Sequence, residues 1–319
     1  MNPKPSAASS DAPRASDLPP RPGRLLRALA RVPLPLMYGL AALLAFILRY
    51  LLRFRVGVAR DNLRRALPQL DEGKRERLLN RQYQKLTEVL VELPWVCSAT
   101  PQQVRERVQF ANLATPQADL AAGRPVLVLA AHLSNWEWML QGIGVCMGAP
   151  FYGAYKPPHS ARADRLMLAV RSVMGVRMVP AKRLIREVLR LRGAPHVLGM
   201  VADQVPTSSA GRVWLSFLGR ETAFYPGPAE IARLGNYCAY FAAQRRVRRG
   251  YYQVHFEAIN QPGEILDVPT FTRRYAACVE ALVREQPAEW AWTHRRWKLQ
   301  PPALPPVMPD SATGNGAAQ

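Results

Sequence analysis

The pattern of apolar and polar positions divides the chain into segments of different character. Residues 1–22 and 301–319 are rich in small and polar side chains or proline and hold few large apolar ones. They cannot bury enough surface to offset the entropy of ordering, so we predict two disordered tails. Between them, residues 32–48 are apolar and uncharged, and apolar residues then recur at helical spacing over residues 61–97. We predict helical structure in both segments, with Pro94 ending the second.

From residue 124 onward, short apolar runs alternate with helical patterns. The predicted strands are 126–130, 176–179, 196–201, 213–218 and 251–259, and the predicted helices are 136–146, 162–174, 184–191, 229–234 and 271–284. Strands that alternate with helices indicate a mostly parallel sheet with helices on both faces. We therefore predict an α/β fold over residues 58–300, preceded by an N-terminal membrane-anchoring helix with basic flanks at 23–57.

The apolar segment lies between Arg31 and Arg49, and its length is near the lower limit for crossing a bilayer. Pro33 and Pro35 stand at its start, where a helix tolerates proline. A signal peptide is disfavoured, because basic residues follow the segment in place of a cleavage site. We predict an anchor that spans the membrane or lies in its interface, and a buried core helix is the alternative. Arginines on both flanks leave the orientation open.

The charge of the chain restricts its partners. Lys and Arg number 43 against 23 Asp and Glu, which gives a formal net charge of +20. Such a chain is attracted to nucleic acid, to an anionic membrane surface or to an acidic carrier protein. The arginines are spread along the sequence without a recognised nucleic-acid module, so nucleic acid is not an expected partner. The basic run at 245–249 is predicted to be an exposed turn, suited to an acidic carrier or a lipid phosphate.

Neither metal nor cofactor chemistry is indicated by the sequence. The four cysteines are far apart and form no C-x-x-C pair, which fits free thiols in a reducing compartment. No metal-ligand cluster and no glycine-rich nucleotide fingerprint occurs, and we predict no metal and no cofactor.

The strongest candidate site is the segment AAHLSNWEW at 130–138, between the first predicted strand and a helix. Ligands of open α/β sheets bind beyond the carboxyl ends of strands, which is where His132 falls. A neutral imidazole there can take the proton of an attacking hydroxyl. Glu137 follows in the first helical turn and can fold back to orient the ring. Alternatively, Ser134 and Glu137 form only a helix-capping box.

His132-x4-Glu137 resembles the H-x4-D/E signature of the glycerolipid acyltransferase superfamily, and its surroundings resemble the lipid A biosynthesis lauroyl and myristoyl transferases. Further blocks resemble that family in the same order along the chain: VARDNL at 58–63, YKP at 155–157 followed by Arg165, Arg171 and Gly175, ADQ at 202–204, FLGR at 217–220, GPA at 227–229 and PAEWAWTHRRW at 287–297. Ser134 replaces a glycine of the family pattern, and Leu218 replaces a phenylalanine.

The resemblance implies transfer of a fatty acyl chain from an acyl carrier protein thioester to a hydroxyl of a lipid A precursor. His132 would be the general base and Glu137 its carboxylate partner. The substrate-binding or oxyanion residues implied are Arg171, Arg165, Asn135 and Asp203. The enzyme would work at the inner membrane with residues 58–300 facing the cytoplasm, and coenzyme A remains a possible donor. Two competing hypotheses are acylation of a lysophospholipid or another membrane lipid, and a basic membrane-surface or nucleic-acid-binding protein without catalysis.

Overall fold

The computed structural model describes residues 20–206 and 211–301, so the predicted disordered tails lie almost wholly outside the described residues. The α-helices are α1 (Arg24–Ala30), α2 (Leu34–Phe46), α3 (Val56–Ala66), α4 (Glu72–Glu92), α5 (Pro101–Arg107), α6 (Ala114–Ala121), α7 (Trp136–Cys146), α8 (Ala161–Arg171), α9 (Leu184–Arg190), α10 (Gly227–Gly235) and α11 (Val268–Glu285). The strands are β1 (Val108–Phe110), β2 (Val126–Ala130), β3 (Phe151–Tyr155), β4 (Arg177–Pro180), β5 (Val197–Val201), β6 (Val213–Phe217), β7 (Arg220–Phe224), β8 (Cys238–Arg248) and β9 (Tyr251–Ala258).

Seven of these strands form the central sheet, in the order β1-β9-β8-β2-β5-β3-β4. Its neighbouring strands are parallel except for β8 and β9, which are antiparallel. β6 and β7 form a separate antiparallel pair. The predicted α/β class with a mostly parallel sheet is thereby confirmed. β2 lies between β5 and β8, so its carboxyl end opens at the middle of the sheet.

The side chains of β2 serve two cores, one on each side of the sheet. Leu127 and Leu129 belong to a large cluster with residues of α3, α4, α10 and α11. Val126 and Val128 belong to a second cluster with residues of α7. A strand buried on both faces needs apolar residues at every position, which explains the uninterrupted run that identified it in the sequence.

The apolar N-terminal segment folds as α2 and continues into a π-helical stretch, Ile47–Leu51. Within the described residues, Leu34–Leu51 is the one helical stretch long and apolar enough to cross a membrane, with a mean hydropathy of 1.8. Only 28% of it is buried in the protein. Met37 and Ala41 pack in a small core with Val91 of α4, whereas another set of large apolar side chains is exposed: Leu36, Leu40, Leu43 and Phe46. By length and composition this stretch is a candidate membrane anchor.

Two local predictions are corrected by the structure. The helical segment predicted over 61–97 is interrupted at 67–71, between α3 and α4, and ends in a 3-10 turn. The basic run at 245–249 is not simply an exposed turn, because most of it belongs to β8. The Arg246 side chain is only 6% exposed there, with its Nη1 2.9 Å from Glu88 Oε2 and its Nε 3.0 Å from Glu289 Oε1. These carboxylates are remote in sequence, so the local charge pattern could not indicate them.

Candidate active site

A sharp turn between β2 and α7 carries His132. Ser134 adopts a left-handed conformation there, with φ of 57°. This conformation costs a non-glycine residue about 1–2 kcal/mol, which accounts for a glycine at the equivalent position of the family pattern. The Ser134 N–H donates to the backbone oxygen of Glu289, 3.1 Å away, and Leu133 forms a β-bridge with Trp290. The C-terminal segment therefore holds the turn in place.

Asn135 is the N-cap of α7. Its Oδ1 accepts from the backbone N–H of Trp138 at 2.9 Å, and its Nδ2 donates to Glu92 at 2.6 Å. The alternative that Ser134 and Glu137 form a capping box is therefore wrong. The Asn135 side chain, which was expected to contact substrate, is fully buried and makes both of these bonds within the protein. The structure places it behind the turn that carries His132.

The carboxylate that contacts His132 belongs to Asp203, just after β5. The His132 Nδ1 and Asp203 Oδ1 atoms are 2.6 Å apart, and Trp290 Nε1 donates to Asp203 Oδ2 at 2.9 Å. Burial alone raises the pKa of Asp203, but the charge of His132 and the hydrogen bonds from His132 and Trp290 outweigh it and lower the pKa to about 2. An ionised carboxylate only accepts hydrogen bonds, so Nδ1 of His132 carries the proton. In the neutral ring, Nε2 then keeps its lone pair.

Glu137 was predicted to hold this imidazole, and the structure gives it another partner. Its carboxylate receives a two-pronged contact from Arg171, whose Nε and Nη2 lie 2.9 Å and 2.5 Å from the two oxygens. Trp136 Nε1 also donates to it at 3.1 Å. Burial alone lowers the pKa of Arg171, but the hydrogen bonds and the charge of Glu137 raise it above its ordinary value. Glu137 thus fixes a permanently charged guanidinium beside the histidine.

His132, Glu137 and Arg171 line one cavity of about 310 Å³ at the carboxyl end of β2. The polar residues stand together with an apolar wall that includes Met139, Leu140, Ile143, Phe151 and Met178. The cavity can therefore bind a polar group and a hydrocarbon chain side by side.

Two glycines let the apolar wall lie close to the sheet. A Cβ on Gly153 would lie 2.9 Å from the sulfur of Met178, and one on Gly199 would lie 2.8 Å from the ring of Phe151. Both distances are shorter than real Cβ contacts allow. Larger residues would push Met178 and Phe151 away from the sheet, and both side chains line the cavity.

The predicted site residues therefore occupy four different positions. His132, Glu137 and Arg171 line the cavity, while Asp203, just after β5, is hydrogen-bonded to His132. Asn135 is buried behind the turn. Arg165 lies exposed on α8 and is not among the residues that line the described cavities.

Comparison with known proteins adds to this geometry. The family model described as bacterial lipid A biosynthesis acyltransferase matches residues 24–299. The chain belongs to this family.

Individual relatives of this acyltransferase are distant but nearly full-length. The lipid A biosynthesis palmitoleoyltransferase of Escherichia coli K12 is 23% identical over 281 residues, which cover 85% of this chain and 88% of the relative. The lipid A biosynthesis acyltransferase of Shigella flexneri has the same identity and coverage. The lipid A biosynthesis lauroyltransferase of Escherichia coli K12 is 21% identical over 278 residues, which cover 87% of this chain and 90% of the relative. The enzyme class predicted from the sequence, an O-acyltransferase of the lipid A type, is confirmed.

The sequence blocks that suggested the family meet in the structure of this acyltransferase. Asn62 of the VARDNL block donates to the backbone oxygens of Trp292 and His294, at 2.8 Å and 2.9 Å. Trp290 of the same C-terminal block reaches Asp203. Segments far apart in the chain thus pack together next to the turn that carries His132.

The sequence predicted Asp203 as a substrate-binding or oxyanion residue, whereas the structure makes it the partner of His132. The sequence did not indicate Trp290 as a second partner of Asp203. A carboxylate at the end of a buried strand was a usable signal, since β5 pairs with β2 in parallel register. Knowledge of that pairing would have placed Asp203 beside the residues that follow Ala130.

Proposed function

We propose that this acyltransferase moves a fatty acyl chain from an acyl carrier protein thioester to a hydroxyl of a lipid A precursor, with His132 as general base. The observation that supports this most is the hydrogen bond from His132 Nδ1 to an ionised Asp203. It leaves Nε2 of the neutral ring as the proton acceptor, and His132 lines a cavity that also offers an apolar wall.

In the proposed reaction, Nε2 of His132 takes the proton of the acceptor hydroxyl as the oxygen attacks the thioester carbonyl carbon. Asp203 keeps the ring in the required tautomer and stabilises its protonated form, as the carboxylate does in a catalytic triad. The carbon–oxygen bond forms, and the carbon–sulfur bond breaks as the tetrahedral intermediate collapses. The thiolate leaves and recovers the proton from the imidazolium. Because the hydroxyl attacks directly, no acyl-enzyme is needed.

We propose that Arg171 stabilises the negative oxygen of the tetrahedral intermediate. Its Nε and Nη2 bind Glu137, and no described residue accepts a hydrogen bond from its Nη1. A fixed guanidinium that borders the cavity can meet developing charge without reorganisation. Glu137 is then a positioning residue for Arg171. We assign no step to Arg165, because its side chain is exposed and outside the cavity.

The family relationship supports the lipid A acceptor, and the net charge of +20 fits an acidic carrier protein and an anionic membrane. We further propose that the exposed apolar side of α2 anchors the enzyme at the inner membrane, with the catalytic domain in the cytoplasm where the carrier is found. After cell lysis the protein should sediment with inner membranes. Recovery in the soluble fraction would contradict the anchor.

The decisive experiment measures acyl transfer by mass spectrometry with detergent-solubilised enzyme, acyl carrier protein charged with a medium-length chain, and a tetra-acylated Kdo-bearing lipid A precursor. We expect a gain of one acyl chain, and no detectable gain with His132→Ala. His255→Ala, which removes an exposed histidine on β9, is the matched control and should keep wild-type activity.

Parallel reactions test a different acceptor and a different donor. Transfer to a lysophospholipid in place of the lipid A precursor would keep the mechanism and reject the acceptor. Equal rates with acyl coenzyme A would reject a requirement for the carrier protein. Near-wild-type activity of His132→Ala would exclude His132 as the base.

A further inference from the structure

A second and larger cavity opens beside the catalytic one. Its volume is about 1000 Å³. The two cavities share part of their lining, including Tyr155, Lys156, Met200 and Gln204, so they are neighbouring parts of one depression. A ligand of this volume is much bulkier than a single fatty acyl chain, and the proposed acyl transfer has only one partner of that kind, the acceptor lipid.

The positions of the lining residues relate the second cavity to the reacting groups. Tyr155, Pro180 and Val201 are the last residues of β3, β4 and β5, which are neighbours in the sheet. His132 follows β2, the next strand in the same parallel set. The cavity therefore lies at the same edge of the sheet as the proposed base, displaced toward β4.

The charge of this cavity is predominantly positive. Lys156, Lys182 and Arg183 line it, together with His159. Asp164 is the one carboxylate among its described lining residues. No ion pair joins any of the three cations to a described residue, in contrast to Arg190 on the same helix segment, which is paired with Glu187. Cations left unpaired around a depression are suited to bind an anion supplied by a ligand.

The N-terminus of α10 contributes to the same wall through Gly227 and Pro228. The positive end of the helix dipole adds to the attraction for a negatively charged group. This contribution supplements the three cations and does not define the site by itself.

We propose that the second cavity binds the phosphorylated sugar headgroup of the acyl acceptor, with Lys156, Lys182 and Arg183 as its phosphate ligands. The inference rests on the proposed function and specifies how the acceptor is held. A phosphate also occurs in the pantetheine arm of the acyl donor, but that arm is a thin chain that needs no chamber of this size. A sugar headgroup seated here lies in the same depression as His132, which lines the adjoining cavity.

The test compares Lys182→Ala/Arg183→Ala with Arg162→Ala/Arg186→Ala. The control pair removes the same charge from exposed positions of α8 and α9 that do not line the cavities. We expect the first variant to raise the KM for the acceptor about tenfold or more, with kcat and the KM for the acyl carrier changed less than about twofold. The control should stay within about twofold of wild type for all three values.

A dephosphorylated acceptor supplies the second arm. With it, wild type and Lys182→Ala/Arg183→Ala should show nearly equal acceptor KM values, because the interaction removed by mutation is already absent. An unchanged acceptor KM with the phosphorylated acceptor would overturn the proposal. A rise confined to the KM of the acyl carrier would also overturn it, since the phosphate bound would then be that of the donor.

A binding measurement separates this proposal from the catalytic one. A soluble glucosamine disaccharide bisphosphate without acyl chains should bind His132→Ala as tightly as wild type in calorimetry, and at least about tenfold more weakly after the Lys182→Ala/Arg183→Ala change. Wild type that fails to transfer acyl chains but binds this probe with the expected dependence would reject the proposed reaction alone. Equal binding of the probe by wild type and by Lys182→Ala/Arg183→Ala would reject the proposed headgroup site and leave the proposed reaction standing.

Discussion

Two carboxylates flank the proposed catalytic cavity, and they differ in origin and in partner. Glu137 lies five residues after His132, in the first turn of α7, and binds Arg171. Asp203 lies 71 residues after His132, at the end of the neighbouring strand, and binds the imidazole itself. Proximity in sequence selected the first carboxylate as the partner of the histidine, whereas the sheet brings the second one to it. The spacing H-x4-E marks two groups that share a site without a direct bond between them in the described structure.

Replacing each carboxylate by its amide distinguishes the roles of Asp203 and Glu137 directly. In Asp203→Asn, the side-chain amide can donate to Nδ1 and favours the tautomer that is protonated at Nε2, which cannot act as the base. We expect kcat to fall about 1,000- to 10,000-fold, as for the corresponding change in a serine-protease triad. Glu137→Gln keeps the histidine tautomer and weakens the hold on Arg171, so kcat should fall only about 10- to 100-fold.

Steady-state kinetics, with thermal melting to confirm folding, check this comparison. Equal losses of kcat in the two folded variants would show that the contact between Asp203 and His132 contributes no more to the rate than the contact between Glu137 and Arg171. A larger loss in Glu137→Gln would return Glu137 to the role of imidazole partner.

The Arg171→Lys substitution tests the role of the guanidinium that Glu137 binds. A lysine keeps the charge but cannot bind both oxygens of Glu137 while presenting another N–H to the cavity. We expect kcat to fall about 100-fold with little change in KM, because the lost interaction belongs to the transition state. Arg162→Lys, on an exposed face of the same helix, is the control and should retain full activity. Wild-type kinetics in Arg171→Lys would remove this arginine from the mechanism.

The ionisation of Asp203 should also affect the stability of the protein in acid. The pKa of Asp203 is lowered from 3.8 to about 2, so the folded state favours its ionised form and gains stability above pH 3.8. That gain, on the order of 2 kcal/mol, should disappear as the pH falls from about 4 to about 2. Chemical unfolding across this range should show a loss in wild type that is reduced in Asp203→Asn. An identical pH dependence in both proteins would mean that Asp203 ionisation contributes nothing to stability.

The fold was largely accessible from local sequence signals. The bounds of β2 and α7 match the predicted ranges. The local pattern of apolar residues is enough to predict each of them, because that pattern reflects which faces of the element are buried. β1, β3, β7 and β8 were missed as strands. β8 includes Gln244 and several arginines, and Arg246 forms ion pairs with Glu88 of α4 and Glu289 of the C-terminal segment. A pattern method has no access to partners of that kind.

The sequence predicted which residues form the candidate site better than it predicted which of them contact each other. His132, Glu137 and Arg171 were chosen by motif, and they do line one cavity. The pairing of Asp203 with His132 depends on which strand lies next to β2, which is a property of the tertiary fold. The left-handed turn at Ser134 was equally hidden, because serine is an uncommon choice for that conformation.

The hydrogen bond from Trp290 to Asp203 has a consequence for the order in which the enzyme becomes active during synthesis. The indole is made 87 residues after the carboxylate that it holds. A nascent chain that has already paired β2 with β5 still lacks the second donor to Asp203 and the bridge from Trp290 to Leu133. The contacts that hold the turn with His132 are therefore completed late in translation, and truncated products that end before residue 287 lack the segment that supplies them.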